Sequence, residues 1–120
     1  MTNKERIQFL YNEDGLRNVT FLTSLFHDNF ILEWDNSDGK LLLQKNDIIN
    51  IARELKQNYI DSFIEISHFI EQDNQIVVKY NHKVTTIENP KEFFLIAKIV
   101  VIWEFEVDKI LKGYQISKPN

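Results

Sequence analysis

A chain of 120 residues that is 43% hydrophobic, with nine Phe, four Tyr and two Trp, carries enough apolar side chain for one packed core. It has no cysteine, which excludes a disulfide framework and any thiolate metal site and suits a reducing compartment. Its net charge is −4 and its 14 basic residues are scattered, so it lacks the basic footprint that binding a phosphate backbone requires, and nucleic acid is not an expected partner.

The first half has helical spacing. Asn3 as a cap, then Glu5, Arg6 and apolar Ile7, Leu10 and Tyr11, predicts a first helix that stops at Gly15. Leu16, Val19, Leu22, Leu25 and Phe26 continue an apolar stripe into a second helix closed by Asp28-Asn29. Phe30 to Asp35 reads as a strand, Asn36-Ser37-Asp38-Gly39 as a turn, and Leu41 to Leu43 as a very short strand. A third helix capped by Asn46 or Asp47 follows, with Ile48, Ile51, Ala52 and Leu55 on one face and an end near Asn58.

The period then changes to two. Ser62 to Ile70 presents Ile64, Ile66, His68 and Ile70 on one face, and Asp73-Asn74 makes a tight reversal into Asn74 to Ile87, where Ile76, Val78, Tyr80, His82 and Val84 alternate with mostly polar residues. Asn89-Pro90 breaks that run. Phe93 to Val107 is the longest strand, and Asp108-Lys109 turns it into Ile110 to Ser117. Four consecutive strands with short connections predict an antiparallel meander. The fold class is therefore α+β: one domain over residues 1–120, with a curved sheet of four C-terminal strands plus an N-terminal strand packed on about three helices.

The strand Phe93 to Val107 is apolar on both faces in its middle, and helices can cover only one side of so small a sheet. Phe94, Ile96, Val100 and Ile102 are expected on the convex side, where a second copy of the chain would cover them and form a homodimer. No membrane partner is expected, because the longest apolar stretch, Phe93 to Phe105, is interrupted by Lys98 and Glu104. The opening Met-Thr-Asn-Lys-Glu-Arg has no apolar run of the secretory kind, so the expected address is the cytoplasm.

Two stretches carry a resemblance. Ser24-Leu25-Phe26-His27-Asp28-Asn29-Phe30-Ile31-Leu32-Glu33-Trp34-Asp35 and Trp103-Glu104-Phe105-Glu106-Val107-Asp108-Lys109-Ile110, taken with the order of elements, are similar to the nuclear transport factor 2-like superfamily, also called SnoaL-like or ketosteroid isomerase-like. The resemblance covers nearly the whole chain and implies a cone in which helices close one side of a bent sheet around a pocket. It also implies many unrelated functions on one scaffold, so it does not choose among them.

By its place after the strand Phe30 to Trp34, Asp35 looks like the general base of ketosteroid isomerase, which moves a proton between two carbons beside a carbonyl; the competing role is to cap the Asn36 to Gly39 turn. That isomerase also pairs a first-helix tyrosine with a protonated acid on the long strand. Tyr11 falls one residue from the tyrosine, and the acid's position falls near Val101, so the donor pair is incomplete and ketosteroid isomerase activity is not expected. Trp34, His68, Tyr80, His82, Trp103 and Gln115 are the other candidates for the pocket wall, with His82 a second candidate base. No ligand spacing supports a metal at His68, His82 and Asp35, and the widely separated glycines form no phosphate loop, so no cofactor is expected. Ser24, Ser37, Ser62, Ser67 and Ser117 have no local His companion that suggests activation, which argues against nucleophilic catalysis.

Three functions remain open. One is a protein that binds a small hydrophobic or carbonyl-containing molecule. Another is a cofactor-free isomerase, dehydratase or hydrolase using Asp35 or His82. The last is a dimeric interaction module whose pocket is filled by its own side chains.

Overall fold

A computed structural model describes residues 1–120. The elements run α1 (Asn3–Asn12), a 3₁₀ turn (Gly15–Arg17), α2 (Val19–Leu25), β1 (Phe26–Asn36), β2 (Gly39–Gln44), α3 (Lys45–Asn58), β3 (Ser62–Gln72), β4 (Gln75–Val84), β5 (Phe94–Glu106) and β6 (Lys109–Pro119). The cap of α1 is Thr2, one residue before the expected Asn3: Glu5 N–H donates to Thr2 Oγ1 at 3.1 Å while Thr2 N–H donates to Glu5 Oε1 at 2.8 Å. The cap of α3 is Gln44, whose N–H donates to Asp47 Oδ2 at 2.7 Å, so Asp47 serves the cap from inside the helix. At Gly15 the chain presses back against α1 so closely that an added Cβ would lie 2.6 Å from Leu10 Cα.

All six strands form one sheet in the order β2-β1-β6-β5-β4-β3. The expected meander β3-β4-β5-β6 is antiparallel throughout, and β1 joins its far edge parallel to β6. The second helix is shorter than its apolar stripe suggested. Phe26 already pairs with Ile110, and the ladder then skips to Ile31 opposite Lys112, which leaves both Phe26 and Phe30 buried with ring centroids 4.5 Å apart. Asp28-Asn29, expected to close that helix, thus lies within β1. The helices supply Ile7, Leu10, Leu22, Leu25, Ile49 and Ala52 to a core that the inner face of the sheet completes with Ile76, Val78, Val101, Phe105 and Ile110.

Three bulges in the meander reset which side chains point inward. In β3 the register passes from Ile66 opposite Tyr80 to His68 opposite Lys79, so Ser67 is the extra residue. Beyond it Phe69 takes the inner position, and His68 and Ile70, expected inside, are exposed. In β5 the register passes from Leu95 opposite Lys83 to Ala97 opposite His82, so Ile96 is extra and falls on the inner side with Ala97. Leu111 is the extra residue in β6.

Candidate functional site

Between α3 and the inner face of the sheet lies a cavity of about 220 Å³, with 13 of its 16 lining residues hydrophobic. α3 supplies Ile48, Ile51 and Leu55, β1 supplies Leu32 and Trp34, and the bulge in β5 supplies Ile96 and Ala97. The polar groups come from three strands: Tyr80 and His82 on β4, Trp103 on β5, and Gln115 and Ser117 on β6. No Asp, Glu, Lys or Arg lines it. A larger hollow of about 770 Å³, whose wall includes Glu13, Asp14, Arg17, Arg53 and Lys56, is an open surface groove of mixed charge. Arg17 there is already held by Asp14 at 2.8 Å and by the Tyr59 and Ile60 carbonyls.

Period two on β1 sends Leu32 and Trp34 inward and therefore Asp35 outward, where it is exposed between Lys40 of β2 and Ile116 of β6. That corrects its expected inward position: the carboxylate stands on the opposite face of the sheet from the cavity. His68 is corrected likewise. The Ser67 bulge turns its ring outward, where Ser67 Oγ lies 2.9 Å from His68 Nδ1, so it does not approach His82. Ile96, expected on the convex face, is a cavity residue instead.

His82 is buried, and its Nε2 lies 2.7 Å from Ser62 Oγ on the neighbouring strand. The cross-strand ladder gives Ser62 the histidine partner that local sequence does not show. Burial pushes the His82 imidazole down to about 4; the Arg17 guanidinium adds to the shift and Asp14 opposes it. The ring is therefore neutral at pH 7, and it is too weakly basic for efficient proton abstraction there.

A second polar group is assembled behind the cavity. The Trp103 Nε1–H donates to the Tyr11 hydroxyl at 2.8 Å in a buried bond, and the Tyr11 and Tyr80 rings lie 4.7 Å apart. Tyr11 is thus behind the wall rather than part of the lining. Burial raises both phenols well above their ordinary range, so both stay protonated. At the opposite side the Trp34 Nε1–H donates to Ser117 Oγ at 2.7 Å, which fixes one wall and leaves the Ser117 proton free to donate. Ser117 is a lining residue that sequence reasoning missed; its place two residues beyond Gln115 on the same strand face is the signal that would have found it.

No protein-family model matches the sequence, and no curated protein is significantly similar to it. Solved structures match along nearly the whole chain. IdmH from Streptomyces antibioticus, a candidate polyketide cyclase, superposes with a TM-score of 0.75 at 9% identity over 98% of this chain and 92% of its own. The fold is the nuclear transport factor 2-like cone. An NTF2-like protein of unknown function from Burkholderia pseudomallei gives 0.66 at 18% identity over 96% and 90% of the two chains. TerC, co-crystallised with polyporic acid, gives 0.65 at 20% identity over 95% and 89%. At these identities the likeness shows the cone fold alone.

Proposed function

We propose that this protein binds a small hydrophobic or carbonyl-containing molecule in the cavity between α3 and the sheet. The observation that carries the reading is the cavity itself: about 220 Å³, apolar, with no charged lining residue and a few fixed polar atoms. An apolar cavity of roughly 150 Å³ accepts benzene, so this one suits a single ring with a short substituent. The cone neighbours described as polyketide cyclases or crystallised with polyporic acid agree with a ring-shaped occupant. Both tryptophans of the chain, Trp34 and Trp103, line the cavity, so indole fluorescence reports directly on filling. A panel of neutral one-ring ketones and phenols is expected to quench it saturably, and Ala97→Phe, which occupies the space, is expected to abolish the response while the protein stays folded. A full panel without saturable change would end the proposal.

Catalysis as a cofactor-free isomerase, dehydratase or hydrolase is a weaker second reading. His82 alone supports it, as the only candidate base in the cavity wall. Asp35→Asn is expected to leave ligand affinity unchanged, because the carboxylate lies on the far face.

The outer face supports self-association. Tyr114 and Ile116 of β6 adjoin Ile102 and Val100 of β5, which adjoin Val77 and Lys79 of β4, giving a largely apolar band across three strands. Outward along β5 the order is Lys98, Val100, Ile102, Glu104, which is its own complement: a two-fold axis between Val100 and Ile102 lays Lys98 of one copy over Glu104 of the other. Beyond the Ile96 bulge Phe94 pairs with Val84, whose side chain points inward, so neither Phe94 nor Ile96 belongs to this face, contrary to expectation. Sedimentation equilibrium is expected to show a dimer that Val100→Lys splits; a monomer at all concentrations would dismiss the arrangement.

A further inference from the structure

The polar atoms around the cavity are not interchangeable. Trp103 has only a proton to give, and it gives it to Tyr11. With its oxygen receiving that bond, the Tyr11 hydroxyl must place its own proton elsewhere, and the polar group beside it is the Tyr80 hydroxyl. In the structure this last pair is a contact short of full hydrogen-bond geometry. Tyr80 in turn lines the cavity, so the chain of donors Trp103, Tyr11, Tyr80 has its free proton at the cavity end. The Trp103 bond fixes and polarises the Tyr11 hydroxyl, and Tyr11 packed against Tyr80 holds the Tyr80 ring in place. Nothing in the lining carries a charge to neutralise an ion.

We propose that Tyr80 is the residue that selects the ligand: its hydroxyl, oriented from behind by Tyr11 and Trp103, donates to the carbonyl oxygen of a neutral one-ring ketone. This rests on the cavity being a ligand site and adds which atom recognises which group. Tyr80 is the binding residue; Tyr11 is a positioning residue with no ligand contact.

The test uses acetophenone and its isostere α-methylstyrene, in which a methylene replaces the carbonyl oxygen. Tyr80→Phe is expected to weaken acetophenone about tenfold while α-methylstyrene stays within about twofold, because only the ketone loses a bond. On the unaltered protein, the carbonyl stretch of bound acetophenone is expected below its position in hexane. Tyr11→Phe is expected to move that band part of the way back. An unshifted band on the unaltered protein, or equal losses for both probes in Tyr80→Phe, would overturn the role of Tyr80 while leaving the cavity as a ligand site. If neither probe binds the unaltered protein, the cavity reading and this one fall together.

Discussion

Gly113 lies opposite Trp103 in the β5–β6 ladder, and a Cβ built there would stand 2.7 Å from Leu32 Cδ1 and 2.8 Å from Trp103 Cζ3. Leu32 can rotate away; the indole cannot easily, because its N–H is tied to Tyr11 and its rings pack against Phe26 and Phe30 at 5.7 and 6.2 Å between centroids. Gly113→Ala therefore overpacks a wall of the cavity, at a cost of about 1–3 kcal/mol. The smaller conformational freedom of the unfolded alanine chain returns about 0.4–1 kcal/mol, leaving a net loss of about 1–2 kcal/mol. With an unfolding entropy of about 2.1 cal/mol/K per residue over 120 residues, that is a fall in melting temperature of about 4–8 °C. The assay is thermal unfolding followed by far-UV circular dichroism, with ligand affinity measured alongside, since an indole pushed into the cavity should also weaken binding. A melting temperature unchanged within about 1 °C would refute the reasoning, because it would mean the Trp103 ring is free to yield.

Other consequences follow from the same geometry. His82 is held near 4 in the fold against an ordinary value of 6.5, so its contribution is fully present above pH 6.5 and is lost as pH falls from 6.5 through 4. Denaturant titrations should show a loss on the order of 2–3 kcal/mol across that window, and His82→Gln should flatten it. Tyr11→Phe leaves the buried Trp103 N–H without its acceptor and should cost about 1–3 kcal/mol, and a cycle with Trp103→Phe should be clearly non-additive. Val107 sits in the two-residue β5–β6 turn at φ +57°, a left-handed conformation that a β-branched residue resists, and its side chain is exposed. Val107→Gly should therefore raise stability by about 1 kcal/mol, read as a higher urea midpoint; a lower midpoint would show that the turn is not strained.

Much of this molecule is legible in its sequence because much of it is periodic. Helical spacing from Ile7 to Leu10 and from Ile48 to Leu55, and alternation from Ile76 to Val84, follow from local geometry, so the elements and the β3-β4-β5-β6 meander could be placed from the chain alone. The same alternation put Tyr80, His82 and Trp103 on one side of the sheet, and the structure sets all three around one cavity. The sequence could also show that the middle of β5 is apolar on both faces.

Tertiary structure decided the rest, and it did so through insertions of single residues that no local pattern marks. One extra residue at Ser67 moves His68 from the core side to solvent, and one at Ile96 moves a supposed interface residue into the cavity, because a slip of one exchanges the two faces of a strand. Asp35 was misplaced for a related reason: its motif suggested a pocket, but the phase of β1 is set by Leu32 and Trp34 packing inward. The partners that give the site its chemistry are far apart in the chain, Ser62 with His82 across a ladder and Trp103 with Tyr11 across the core. The sequence by itself determined which residues alternate; only the fold determined where that alternation skips and which distant side chains then meet.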